Sequence, residues 1–262
     1  MTAGFALDLA HGRAVAVVID DDAAAGNHPD EQAAAARYRD GRAREYLAGR
    51  RALRAAVGDL GLVPALGPIA ADARGAPQLP AAVVGSISHK ATLAIALAAP
   101  AAGWTVGIDL ELRAPRPTDI SRRVLTAPEQ AALAHLPPDA QRRAVVRTFA
   151  IKEAVYKAID PHLRRYVGFL EVAVRDDDAG VAVTVPDAWG LAVEVAVAAR
   201  DAHWNAVLVE RQRVALGAAA GPAARAGAIA FEVGGRGREG RALARDAREE
   251  RRTQESSDHG HL

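Results

Sequence analysis

Between positions 30 and 60 the apolar residues Tyr38, Tyr46, Leu47, Leu53 and Val57 fall at helix-like spacings, the pattern of a helix with one buried face. Outside that tract the pattern shortens to strand-like runs. Residues 5–20 read as a strand pair around His11-Gly12, and further strands are expected at Val83–Ile87, 92–98 and 104–110, after a Gly/Pro-punctuated loop from Gly61 to Pro80. A second helical region follows Thr118. Thr126-Ala-Pro-Glu129 has the capping-box form, and a helix over 140–159 is expected to stop at Asp160-Pro161. Strands at 167–175, 180–185, 191–199 and 203–210 complete the pattern. This order predicts an α+β fold built as two similar α/β halves, 1–103 and 104–213, although no sequence repeat links them.

Two stretches invite other readings. Ala91 to Ile108 carries no charge and approaches the length of a membrane span, but Pro100 and Gly103 interrupt it, so it reads as two strands joined by a turn. Residues 214–262 are rich in Ala, Gly, Arg and Glu and read as a disordered tail. Within it Gly235-Arg-Gly-Arg-Glu-Gly240 matches a dinucleotide-binding pattern but lacks the apolar helix that must follow.

Composition narrows the function classes. Half of the 262 residues are hydrophobic but only 4% are aromatic, so the core is expected to consist of Ala, Val, Leu and Ile. A formal net charge of +1 provides no global field for nucleic acid. The absence of cysteine removes disulfides, thiol catalysis and Cys-based zinc sites. The N-terminal MTAGFALDLAHG lacks the basic and long apolar regions of a signal peptide, and a cytoplasmic location is expected.

The chemistry-bearing residues form four groups. In Val106-Gly-Ile-Asp-Leu-Glu111 the two-residue period puts Asp109 and Glu111 on one strand face. Adjacent carboxylates need compensation, for which a hard divalent cation is suited; a solvated strand end is the alternative. In Phe149-Ala-Ile-Lys-Glu-Ala-Val-Tyr-Lys157, Glu153 and Lys157 lie one turn apart, as in an ordinary i, i+4 salt bridge. Gly85-Ser-Ile-Ser-His-Lys90 ends a strand in polar side chains. Ser88 and His89 point to opposite faces, which disfavours a nucleophile–base pair and favours donors for a phosphate. Arg50 and Arg54 form a possible phosphate fork on the first helix, or else a solvated basic face.

In this order and spacing the groups resemble the phosphopantetheinyl transferase superfamily, and within it the enterobactin synthetase component D-like branch. The family's G-x-D-x-E strand is matched by Gly107 to Glu111, its F/W-S/A-x-K-E-A-x-x-K helix by Phe149 to Lys157, its G-S-x-S-H element by Gly85 to His89, and its G-R-x-x-x-R helix by Gly49 to Arg54. Lys157-Ala-Ile-Asp-Pro161 and Gly168-Phe169 resemble a further segment, so that the likeness covers roughly residues 30–175. It departs from the family's G-K-P element, which here reads Arg74-Gly75-Ala76-Pro77, with Arg74 as the substitute cation, and the second helix has Ala150 where Ser or Thr is common.

The resemblance implies a pseudo-twofold monomer with its active site between the halves. It implies Mg²⁺ on Asp109, Glu111 and Glu153, and coenzyme A as co-substrate, with Arg50, Arg54 and His89 near its 3′-phosphate, Ser88 and Lys157 nearer the pyrophosphate, and Arg74 as a further coenzyme A-binding cation. The acceptor would be a serine of an apo acyl, peptidyl or aryl carrier protein in secondary metabolism or siderophore assembly. Glu153 would act as base and Lys157 would stabilise the leaving 3′,5′-ADP. Arg122, Arg123, Leu125, Arg142 and Arg143 are the expected carrier-docking surface. The competing readings are a coenzyme A or nucleotide-binding module without transfer, a Mg²⁺-dependent phosphohydrolase, and a nucleic-acid binder acting through the tail.

Overall fold

A computed structural model describes residues 4–9, 11–22, 24–112, 118–177, 180–200 and 204–213. The proposed disordered tail and the Gly235–Gly240 pattern lie outside the described residues. In the N-terminal half, β1 (Phe5–Asp8), β2 (Arg13–Val18), β3 (Val83–Lys90) and β4 (Leu93–Pro100) make an antiparallel sheet in the order β1-β2-β4-β3. Two helices precede β3, α1 (Pro29–Ala35) and α2 (Asp40–Leu60). The C-terminal half starts with β5 (Trp104–Leu112), followed by α3 (Ser121–Val124), α4 (Ala127–Leu133) and the long α5 (Pro138–Leu163). A 3₁₀ turn over Phe169–Glu171 leads to the hairpin of β6 (Ala173–Asp177) and β7 (Gly180–Thr184). Finally β8 (Leu191–Arg200) and β9 (Trp204–Arg213) join β5 in a second antiparallel sheet, β5-β9-β8. Each half is thus one long helix on an antiparallel sheet, the α+β architecture expected from the element order.

Strand β4 explains why the uncharged stretch after Ala91 is not a membrane span. Leu93 to Ala99 are buried on both faces. Ile95 and Leu97 pack with Val106, Ile108 and Leu110 of β5, while Ala96 and Ala98 face Leu53 and Val57 of α2. A strand covered twice reads as a continuous apolar run. Among the described residues no helix is long and apolar enough to cross a membrane.

Two expected helix boundaries differ. The single helix over 30–60 is broken at 36–39. The break lets Glu31 of α1, which is 1% exposed, accept the N–H of Ile69 (2.7 Å) and Arg54 Nη2 (2.6 Å), so tertiary contacts override an Ala-rich helical tract. At the other end α5 continues through Pro161 to Leu163. There a proline costs only the bond to the carbonyl of Lys157, and the helix closes on Arg164, whose left-handed N–H bonds Asp160 O at 2.9 Å. The strand expected over 167–175 is shortened by the 3₁₀ turn to begin at Ala173.

In the C-terminal half α5 and β5 pack backbone to backbone at Gly107. A Cβ on Gly107 would lie 2.0 Å from the carbonyl oxygen of Ala154 and 2.7 Å from the nitrogen of Ala158. Glycine on the strand and alanines on the helix bring the two backbones together, which sets where the later turns of α5 stand against the end of β5. Gly107→Ala must therefore push α5 away, and it is expected to cost about 3 kcal/mol, measured as a lower urea midpoint. An unchanged midpoint would contradict this packing.

Candidate active site

The two sheets meet at their edge strands, β3 and β5, and side chains replace the missing ladder there. Ser86 Oγ accepts the N–H of Ile108 at 3.2 Å, and Ser88 Oγ accepts that of Leu110 at 3.3 Å. Edge strands need such partners when buried, which explains two serines two residues apart. Ser88 also donates to Asp109 Oδ1 at 2.8 Å. Lys90, next along the same face of β3, pairs with Glu111 at 2.9 Å. Asp109 and Glu111 are each 6% exposed, and each buried carboxylate has a lysine against it.

Lys157 completes this group from α5. Its Nζ donates to Ile108 O at 2.9 Å and to Asp109 Oδ1 at 2.7 Å. The approach at Gly107 puts the ammonium over the strand, so that Lys157 bridges α5 and β5. Asp109 Oδ2 is buried and has no hydrogen-bond partner. An ionised carboxylate oxygen left in that state is costly unless a ligand or cation completes it.

Glu153 lies one turn earlier on α5 and lines a cavity of about 240 Å³ with Arg74, Tyr156, Asp160, Tyr166 and Phe169. The buried Tyr156 hydroxyl has no partner, and burial, followed by the charge of Glu153, pushes its pKa up. Among the described residues no three His, Cys, Asp or Glu side chains are grouped closely enough to hold a metal. The structure therefore places Asp109 and Glu111 side by side and Glu153 on the facing helix, without closing the three into one cage. The residues fit a Mg²⁺ ion at the uncompensated Asp109 oxygen, a hard donor of the kind such an ion takes.

The remaining expected ligand residues divide in two. His89 stands beside the seam: its Nε2 contacts Arg42, its Nδ1 lies 3.5 Å from Glu45, and it feels the charges of Lys157 and Asp109. Burial holds its pKa below the ordinary imidazole value. Arg50 is largely buried, stacks 3.8 Å over the Tyr46 ring and donates to Ile69 O at 3.3 Å. Arg54 is instead bound to Glu31 at 2.6 Å and to the carbonyls of Leu66 and Gly67 at 2.6 and 3.1 Å. Arg74 holds Asp160 through Nε at 2.8 and 2.9 Å. Sequence reasoning missed Arg42 and Glu45, whose i, i+3 spacing toward the end of β3 becomes visible only once α2 is docked.

It also missed the role of Lys152. This side chain is fully buried, and its three protons go to Val124 O (2.8 Å), Glu129 Oε2 (2.8 Å) and Phe169 O (2.9 Å). Glu129 in turn accepts Thr126 N–H at 2.6 Å, as its capping box requires, and Val174 N–H at 2.7 Å. Burial lowers the pKa of Lys152 and Glu129 opposes that shift. On the expected docking surface Arg122, Arg123 and Arg143 are exposed and Arg142 pairs with Asp139. Leu125 is not part of that surface: at 2% exposure it belongs to the core with Val124 and Val145.

Comparison with protein families gives two matches, the 4′-phosphopantetheinyl transferase superfamily over residues 105–217 and the 4′-phosphopantetheinyl transferase N-terminal domain over 30–99. The chain belongs to the 4′-phosphopantetheinyl transferase superfamily. Within that superfamily it is 40% identical over 161 residues to the 4′-phosphopantetheinyl transferase Svp of Streptomyces mobaraensis, covering 58% of this chain and 62% of that one. It is 33% identical over 148 residues to the 4′-phosphopantetheinyl transferase Npt of Nocardia iowensis, covering 56% and 65%. The matches thus span just under two thirds of these curated relatives. Among solved structures it is similar to the holo-[acyl-carrier-protein] synthase of Thermotoga maritima, at 22% identity and a TM-score of 0.35 over 42% of this chain and 63% of that one. A holo-(acyl-carrier-protein) synthase of Bacillus anthracis in complex with coenzyme A (3′,5′-ADP) gives 22% and 0.33, over 42% and 96%.

The phosphopantetheinyl transferase motif K-E on α5 therefore joins two unlike residues, Lys152 turned into the core and Glu153 toward the cavity. Lys152→Met leaves Glu129 buried without its cation and is expected to cost about 3–5 kcal/mol in urea unfolding. The double variant with Glu129→Gln should recover part of that loss. A cost below about 1 kcal/mol for Lys152→Met would refute the buried pair.

Proposed function

We propose that the protein transfers the 4′-phosphopantetheine moiety of coenzyme A to a serine hydroxyl of an apo carrier protein and releases 3′,5′-ADP. The observation that carries the reading is the Ser88–Asp109–Lys157 group on the β3–β5 seam, with one buried Asp109 oxygen unpartnered. A seam that gathers a hydroxyl and an ammonium around a carboxylate, with an imidazole on the other face of the strand, suits a pyrophosphate ester bound with a cation.

In this reading Ser88, His89, Arg50 and the neighbouring Arg42 hold the phosphates, while Arg54 and Arg74 serve the fold. Asp109, Glu111 and Glu153 would hold Mg²⁺, which when bound neutralises phosphate charge and makes phosphorus more electrophilic. Glu153 takes the proton of the carrier serine as its oxygen bonds to phosphorus. The bond from that phosphorus to the bridging pyrophosphate oxygen breaks, and Lys157 donates to the departing phosphate. The carrier docks on the exposed Arg122, Arg123 and Arg143, a basic surface suited to an acidic helix.

In this reading 1–103 and 104–213 are the two domains of one chain that works as a monomer. The reading extends to the enterobactin synthetase component D-like branch, with a carrier of secondary metabolism or siderophore assembly and a cytoplasmic location, on the strength of the sequence motifs alone.

The test is to incubate the chain with coenzyme A, Mg²⁺ and an apo carrier and to weigh the carrier by mass spectrometry. A phosphopantetheine increment is expected, slowed at least about 100-fold in Glu153→Gln. Release of 3′,5′-ADP without a carrier would instead indicate a phosphohydrolase. Binding of coenzyme A with no increment on any carrier would indicate a binding module.

A further inference from the structure

The cavity beside Glu153 has one wall that the chemistry above does not use. Its other lining residues run from Glu153 to Phe169 and belong to the C-terminal half; Arg74 alone comes from the N-terminal half among the residues described. Arg74 sits on a turn that holds its own shape. Asp72 Oδ1 accepts the N–H groups of Arg74 (2.8 Å) and Ala76 (2.9 Å), Gly75 takes a φ of +88° and donates to Asp72 O at 3.0 Å, and Ala71 pairs with Pro77. From this turn the guanidinium reaches 86 residues along the chain to Asp160, where Nε lies 2.8 and 2.9 Å from the two carboxylate oxygens and Nη2 contacts Oδ1. Nη2 also approaches Arg165 O at 3.4 Å.

We propose that the Arg74–Asp160 pair is a clasp between the two halves that fixes the groove beside Glu153, which makes Arg74 a positioning residue and not a phosphate ligand. Asp160 lies seven residues after Glu153, two turns along the same face of α5, so the clasp acts on the stretch of helix that carries both Glu153 and Lys157. Both partners are partly open to solvent, at 35% and 27% side-chain exposure, where an ion pair adds little stability. Its two-pronged geometry does fix orientation.

The proposal rests on the transferase reading and is tested by steady-state kinetics on the full chain with coenzyme A, Mg²⁺ and an apo carrier. The variants are Arg74→Ala, Asp160→Ala, their double, and the reversed pair Arg74→Asp with Asp160→Arg. The clasp predicts that each single change lowers kcat about ten-fold with the KM for coenzyme A within about two-fold. The double should be no worse than either single, and the reversed pair should return to within about three-fold of wild type. A direct phosphate ligand behaves otherwise: Arg74→Ala would raise the KM for coenzyme A, while Asp160→Ala would leave or lower it, and that result overturns the clasp. A wild-type chain that transfers nothing overturns the transferase reading instead. Hydrogen exchange then reads the clasp without turnover. Amides of 72–76 should exchange about ten-fold faster in Asp160→Ala and slow again in the reversed pair, and unchanged exchange in Asp160→Ala overturns it.

Discussion

The site depends on the approach of α5 to β5 at Gly107. With no Cβ on the strand and only alanine at 154 and 158 on the helix, the two backbones come closer than any larger pair would allow. That distance lets the Lys157 ammonium reach both the carbonyl of Ile108 and the carboxylate of Asp109. The same strand is tied on its other side to β3 through Ser86 and Ser88. Asp109 is thus held from two halves of the chain at once, and the chemistry stands on a junction of rigid elements and not on a loop.

Buried charge in this protein is of two kinds, separated by whether every polar atom is satisfied. Lys152 and Glu31 are complete. The lysine uses its three protons on three acceptors, and the glutamate accepts from the backbone of His28 and Ile69 as well as from Arg54. Charges satisfied in this way specify a packing. The seam is incomplete, since Asp109 has a lysine and a serine on one oxygen and nothing on the other. Of the buried polar atoms left without a partner, Asp109 Oδ2 is the carboxylate oxygen, the kind of donor a cation adds most to.

Much of this was legible in the sequence. The strand period placed Asp109 and Glu111 on one face, and the structure sets Lys90 and Ser88 opposite them in the same alternation. The opposite orientation of Ser88 and His89 also follows from that period: one turns to Asp109, the other to Arg42 and Glu45. What could not be read were the partners of the long cations. Arg54 finds Glu31 and Arg74 finds Asp160, 23 and 86 residues away, and nothing in a basic residue's neighbours tells whether it will meet a phosphate or a distant carboxylate. The break before α2 and the passage of α5 through Pro161 were hidden for the same reason, because tertiary contacts outweigh local propensity there.

The central claim is that the unpartnered oxygen of Asp109 is where the cation accompanying coenzyme A is held. Calorimetric titration of coenzyme A into the wild-type chain and into Asp109→Asn, with and without Mg²⁺, tests it most directly. The account predicts that Mg²⁺ tightens binding at least about ten-fold in the wild type and has no effect in the variant, whose amide keeps the shape but loses the charge. An equal response to Mg²⁺ in both proteins would contradict it.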